Sequence, residues 1–294
     1  MFEGIITPIV TPFNRDEEQS INYEAAEQLI NHLIKKGVNS IFILGSNGEF
    51  HVIDEDEKVA FAKRVIEIVD HRVPVFVGTG ACSTKETVRL SQKMEAVGAD
   101  ALSVITPYFI KPTDEELYEH FKEVANSVKI PIVLYNIPKT TGCNISKEVV
   151  ARLAIIDNIK AIKDSSGDVE NLKGYIEASS KNLSVLVGSD SKISIGYSLG
   201  ATGAIAGTSN VITDVLVKLN KALKTNDTET AKVLQTDIDV LRGVLKLGTV
   251  PSIMKRSVEL ANIAAVGPAR KPVSETTSEV DEKIKEMLKH YQLI

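Results

Sequence analysis

Cysteine is scarce in this chain: Cys82 and Cys143 are the only two. Two thiols make neither a disulfide framework nor a metal site, and reduced cysteines in a cytosolic protein are the plain reading. Long apolar runs are missing as well, and no stretch approaches membrane-spanning length. The N-terminus, MFEGIITPIVTPF, carries prolines and an acid but lacks the basic and apolar regions of a secretory signal. There is no Lys/Arg run, and a net charge of -5 gives no reason to expect nucleic acid or an anionic membrane as partner. A soluble, cytoplasmic protein is the expectation. A glycine-rich nucleotide turn is absent too: the first apolar run leads into TPFNRDEEQS, which argues against an open, doubly wound sheet.

What is present is a repeated alternation. Eight short apolar runs, rich in Val and Ile, occur at 4–10, 40–44, 73–78, 101–105, 130–135, 159–163, 183–188 and 203–207. Each reads as a strand covered on both faces. Amphipathic segments lie between them. NYEAAEQLINHLIKKG ends on Lys-Lys-Gly, a helix stop with the right charge for the dipole. TKETVRLSQKMEAVGAD follows the same plan, with Thr84 as its N-cap and Gly98 as its stop. Eight strand–helix repeats in 294 residues predict an α/β fold, a (β/α)8 TIM barrel. After residue 210 helical segments follow one another with no strand between them. The expected organisation is a catalytic barrel over 1–224 and a helical appendage over 225–294, packed on the barrel because no flexible linker separates them.

In such a barrel the residues at the C-terminal strand ends face the active-site mouth. Lys163 ends the sixth run and Tyr135 the fifth. Neighbouring strands lie roughly 5 Å apart, which puts a phenol beside an amine. A desolvated lysine favours its neutral, nucleophilic form and can condense with a keto acid to an imine, an electron sink for an adjacent carbanion. The tyrosine hydroxyl can shuttle protons. Lys160, in the same run at opposite parity, is given no role. The loop GSNGE (45–49) offers backbone N–H groups with Ser46 and Asn47 as donors for a small carboxylate, while Glu49 is assigned to capping the following helix. The five histidines form no metal set. His51 reads as a loop residue, and His32, His71, His120 and His290 as solvated helix faces.

Taken in order, GIITPIVTPF, LGSNGEF, TPYF, LYNIP…TG, IKDSSG, GSD and GAIAGTSN resemble the dihydrodipicolinate synthase / N-acetylneuraminate lyase family of class I aldolases, from end to end. The resemblance implies a barrel with a C-terminal helical domain, a homotetramer, and pyruvate with an aldehyde as small-molecule partners. It implies no cofactor and no metal, the lysine imine serving instead. Lys163 matches the Schiff-base lysine and Tyr135 the relay tyrosine. Ser46 and Asn47 stand in the carboxylate loop, and Gly188 and Ile205 match pocket-lining positions.

Two departures shape the functional expectation. Lysine-pathway synthases of the family carry an arginine two residues after the proline of YNIP, where it grips the aldehyde partner's carboxylate. Thr140 stands there and cannot make a bidentate contact. Lys139 is expected to point elsewhere. The second relay tyrosine of the family is replaced by Phe109, leaving Tyr108 or a water in its place. LGSNGEF looks closest to the 2-keto-3-deoxy sugar acid aldolases. The leading expectation is a pyruvate-dependent lyase cleaving such an acid to pyruvate and an aldehyde. The alternatives are 4-hydroxy-tetrahydrodipicolinate synthase, a dehydratase using the same imine, and a catalytically silent, small-molecule-binding member.

Overall fold

The computed structural model describes residues 1–179 and 183–294. Eight parallel strands close into a barrel in chain order: β1 (Gly4–Pro8), β2 (Ser40–Ile43), β3 (Val75–Gly78), β4 (Ala101–Ile105), β5 (Ile132–Asn136), β6 (Ile159–Asp164), β7 (Ser184–Val187) and β8 (Gly203–Ile205). β8 pairs back onto β1, with Gly4 opposite Gly203. A Cβ on Gly203 would sit 2.7 Å from the Gly4 carbonyl oxygen, so closure needs a residue without one. The (β/α)8 expectation is met, and each apolar run matches one strand, with β5 and β6 each ending one residue beyond the run, at Asn136 and Asp164. The runs at 4–10 and 73–78 are longer than their strands: β1 ends at Pro8 and β3 begins at Val75, although the Ile9 N–H still donates to the Phe42 carbonyl at 2.9 Å.

Helices fill the crossovers. They are α1 (Tyr23–Lys36), α2 (Glu55–Val69), α3 (Thr84–Ala96), α4 (Asp114–Asn126), α5 (Pro138–Thr141), α6 (Lys147–Leu153), α7 (Val169–Ala178) and α8 (Ile193–Leu199). In α1 the Asn22 side chain accepts from the Ala25 N–H, and Gly37 closes the end at φ 91°. Leu29, Ile30 and Leu33 recur at helical spacing and are fully buried, each stabilising by roughly 1.5–3 kcal/mol. The N-cap of α3 is Ser83, not Thr84: the Ser83 oxygen accepts from the Glu86 N–H. Thr84 is engaged elsewhere, its hydroxyl 2.9 Å from His120 Nδ1. His120 is therefore not a solvated residue. It is buried between α3 and α4, and burial pushes its pKa down to about 4.

The barrel interior is layered. Ile6, Phe42, Phe76, Ala101, Val133, Ala161, Leu186 and Ile205 form one buried layer, against which Phe2 packs. Two phenylalanines and two alanines share it, so large and small side chains interdigitate. Side chains alternate along a strand. Two residues further on, Tyr135 and Lys163 face the interior again, directly opposite each other in the β5–β6 register.

Beyond β8 come α9 (Thr213–Lys224), α10 (Thr228–Val244), α11 (Val250–Leu260) and α12 (Ser278–His290) without further strands. They are tied back to the barrel. Arg270 pairs with Glu57 of α2 at 2.8 Å, and Arg15 with Glu259 of α11 at 2.9 Å. No described helix is long and apolar enough to cross a membrane.

Candidate active site

A cavity of about 420 Å³ opens at the C-terminal ends of the strands. Lys163 and Tyr135 lie at its base, 4% and 3% exposed. The lysine Nζ is 3.8 Å from the centre of the Tyr135 ring and 5.3 Å from that of Phe42. The amine thus rests on two aromatic faces and makes no ion pair among the described residues. Aromatic faces offer it partial compensation for lost water without pairing it to a carboxylate.

The Tyr135 hydroxyl lies 3.1 Å from Ser46 Oγ. This joins the phenol to the loop that follows β2. Asn47 lines the same cavity, and its amide covers Gly207: a Cβ there would stand 2.5 Å from Asn47 Nδ2. Gly188, just past β7, is required for space. A Cβ at that position would sit 3.0 Å from Lys163 Cε, 2.9 Å from the Asp164 carbonyl oxygen and 2.1 Å from Ser165 Oγ. Ile205 closes the wall from β8.

Neighbouring groups hold the lysine strand. Asp164, at opposite parity to Lys163, accepts from Asn136 Nδ2, from the Ser166 amide and hydroxyl, and from Asn171 Nδ2. Burial raises its pKa against the opposing pull of these bonds. Asp190 accepts from the Thr208 N–H at 2.8 Å, and Gln235 of α10 donates to the Asp190 carbonyl. None of these partners was singled out from the sequence. Their signals, a Ser-Ser pair and lone amides, are ordinary loop composition.

The structure gathers seven of the sequence-derived candidates in this cavity: Ser46, Asn47, Tyr135, Thr140, Lys163, Gly188 and Ile205. It leaves Tyr108 outside. That ring stands edge-on to Phe50 at 6.0 Å, and burial, then the Cys82 thiol, push its pKa up to about 12. Phe109 is 93% exposed at φ 77°. Lys139 does not turn away as expected. α5 is a single turn, so consecutive side chains fan around it, and both Lys139 and Thr140 line the mouth.

Glu49 is not a helix cap. Its side chain makes no capping bond, its backbone is left-handed at φ 55°, and α2 is capped by Asp54. One oxygen meets Lys255 Nζ at 2.6 Å and the other accepts from the Arg270 N–H at 2.8 Å. Lys160 pairs with Asp157 at 3.6 Å and stays outside the site. His51 is exposed beside Phe50, in a short 3-10 turn (Phe50–Val52) rather than an irregular loop. Both cysteines are free, Cys143 buried and Cys82 exposed. Among the described residues no cluster of three His, Cys, Asp or Glu side chains is placed to hold a metal ion.

Comparison with known proteins agrees with this architecture. The dihydrodipicolinate synthetase family model matches residues 1–291. The 4-hydroxy-tetrahydrodipicolinate synthase of Methanoculleus marisnigri is 36% identical, covering 98% of this chain and 99% of that one. The enzyme of the same name from Archaeoglobus fulgidus is 35% identical over the full length of both. Two solved structures superpose closely, each at 32% identity and full coverage of both chains. One is the Acinetobacter baumannii dihydrodipicolinate synthase complexed with pyruvate, TM-score 0.94. The other is YagE, a prophage protein of the dihydrodipicolinic acid synthase family from E. coli K12 in complex with pyruvate, TM-score 0.95. With its closed eight-stranded barrel and end-to-end match, this chain belongs to the dihydrodipicolinate synthetase family and is a lyase of that family.

Proposed function

We propose that the protein is a pyruvate-dependent class I lyase that cleaves a 2-keto-3-deoxy sugar acid to pyruvate and an aldehyde. The observation that carries this reading is the buried amine of Lys163 stacked on Tyr135, whose hydroxyl meets Ser46. The lysine nitrogen attacks the C2 carbonyl, and loss of water gives a protonated imine. A proton leaves the C4 hydroxyl, the C3–C4 bond breaks, and its electron pair flows into the imine as an enamine. The aldehyde departs. C3 then takes up a proton, and water hydrolyses the imine to release pyruvate and the free amine. Tyr135 is the relay for the hydroxyl protons. The Ser46–Asn47 loop holds the C1 carboxylate, and Gly188 leaves the lysine room to become trigonal.

Thr140 at the mouth supports a lyase over a synthase, since a hydroxyl cannot grip a carboxylate as a guanidinium does. The second reading, 4-hydroxy-tetrahydrodipicolinate synthase, is favoured by the names of the relatives and by Lys139 at the mouth. A homotetramer fits the exposed Phe109 and Ile110, apolar side chains on a strained loop that a second copy would cover.

The test is borohydride reduction with pyruvate, followed by intact and peptide mass spectrometry. A stable adduct on Lys163 is expected. A folded protein that gives no adduct would sink the aldolase reading and leave a silent binding protein. Turnover of keto-deoxy acids against condensation with aspartate semialdehyde then separates the two enzymatic readings.

A further inference from the structure

The ends of β5 and β6 carry a second pair of facing residues. Tyr135 stands opposite Lys163 and, one step on, Asn136 stands opposite Asp164. Successive side chains alternate, so the first pair faces the barrel interior and the second the helix layer behind it. A hydrogen bond closes the outer pair: Asn136 Nδ2 donates to Asp164 Oδ1 at 2.9 Å. Both residues are buried. Asn136 Nδ2 also donates to Asn144 Oδ1 at 2.9 Å, and its Oδ1 accepts from the Ile145 N–H at 3.0 Å. Asp164 accepts in addition from the Ser166 N–H, the Ser166 hydroxyl and Asn171 Nδ2 of α7. Asn144 donates to Asn171 Oδ1 at 3.3 Å, and the Tyr175 hydroxyl donates to the Ile145 carbonyl. Asn144 and Ile145 follow α5, so β5, β6, α7 and the segment carrying Thr140 are knotted at one point. Among the described residues no cation pairs with Asp164, and hydrogen bonds alone offset its burial. A buried polar network that is fully satisfied fixes one geometry.

We propose that Asn136 and Asp164 are positioning residues, whose bond on the outer face of the barrel sets the spacing of Tyr135 and Lys163 on its inner face. This deepens, and rests on, the pyruvate-lyase reading above. Neither residue lines the cavity. Each is joined to its reactive neighbour by one peptide unit, so a shift of the outer pair is passed to the inner one. The spacing matters because a proton relay works only within hydrogen-bond reach. A misplacement of about 1 Å can cost about 10²-fold in rate. Lys163 Nζ lies 3.8 Å from the Tyr135 ring centre, and the Tyr135 hydroxyl 3.1 Å from Ser46 Oγ. Both contacts hang on the relative height of β5 and β6, which the Asn136–Asp164 bond fixes.

The experiment is the rate of borohydride trapping of pyruvate by the full-length protein, followed across pyruvate concentrations so that the maximal rate and the half-saturating concentration are read separately. Asn136→Asp sets two carboxylates against each other. It is expected to lower the maximal rate about tenfold or more and to leave half-saturation nearly unmoved. Adding Asp164→Asn restores one donor facing one acceptor, with the roles exchanged, and should recover most of the loss. On a Tyr135→Phe background Asn136→Asp should cost less than about threefold more, because the relay it positions is already gone. Circular dichroism confirms the fold of each variant. Asn171→Ala, which deletes one donor to Asp164 away from the cavity, should lower the maximal rate about threefold and carries the test if Asn136→Asp does not fold. An unchanged maximal rate in the folded variants overturns the positioning role. So does an exchanged pair no faster than Asn136→Asp alone, or a loss that multiplies in full on Tyr135→Phe. Failure of the natural sequence to trap pyruvate at all removes the lyase reading itself, and the positioning role with it.

Discussion

Glu49 and Lys255 form a 2.6 Å ion pair with both side chains almost wholly buried, at 2% and 1% exposure. Glu49 ends the loop that carries Ser46 and Asn47, and Lys255 belongs to α11. Lys255 Nζ also donates to the Pro268 carbonyl at 2.8 Å and lies 4.0 Å from the centre of the Phe13 ring. The loop of residues 45–49 is thereby clamped by a helix from beyond the barrel. Burial outweighs the attraction of Glu49 and brings the Lys255 pKa down to about 8.

Removing one partner of this pair leaves the other charge buried and uncompensated. Lys255→Met should destabilise the protein by about 3–5 kcal/mol. The double variant Glu49→Leu, Lys255→Met should recover much of that loss. Urea unfolding of the two single variants and the double checks it: equal, additive losses would show that the two side chains do not interact.

Tyr135→Phe keeps the ring beneath Lys163 and deletes only the hydroxyl that meets Ser46. Turnover should fall by roughly 10²–10⁴-fold, the range for losing a proton relay. The thermal midpoint should move little, and borohydride trapping of pyruvate should slow rather than vanish. Undiminished kcat would remove Tyr135 from the chemistry.

Gly188→Ala should suppress imine formation without unfolding the barrel. The added methyl meets Lys163 Cε at 3.0 Å and the Asp164 carbonyl oxygen at 2.9 Å, and the latter is backbone that cannot swing aside. Displacement falls on the Ser165 hydroxyl, 2.1 Å from the methyl, and on the lysine. The check is the rate of adduct formation with pyruvate against that of the unaltered protein, with circular dichroism confirming the fold.

His120 gives the protein an acid-sensitive stability. Its pKa is about 4 in the folded chain against the ordinary 6.5, because burial disfavours the cation. Between those values the unfolded chain binds the extra proton, so stability is complete above pH 6.5 and is lost as pH falls toward 4. The loss should reach roughly 3 kcal/mol. Urea midpoints measured across this window should drop for the natural sequence and drop less for His120→Gln. Parallel curves would assign the acid limb to other groups.

The strands and the end of α1 are legible in the sequence because their causes are local. Alternation along a strand, helical spacing in α1 and a glycine at its end each act within a few residues. Ser83 and Thr84 mark the limit: adjacent hydroxyls are equal as caps until His120, brought close by folding, claims one of them. The direction of Lys139 is hidden from the sequence for a related reason, since it depends on the single turn of α5 rather than on its neighbours in sequence.

The sequence by itself determined the barrel, the strand-end positions of Lys163 and Tyr135, and the family, since periodicity and motif order are properties of the chain. Only the tertiary structure decided that Tyr108 stands outside the cavity, that Glu49 is paired with Lys255, and that Arg242 and Lys246 reach the mouth. These facts depend on which surfaces meet when the barrel closes and the last helices dock. Such meetings are set by packing between segments far apart in sequence, where no local pattern records the partner.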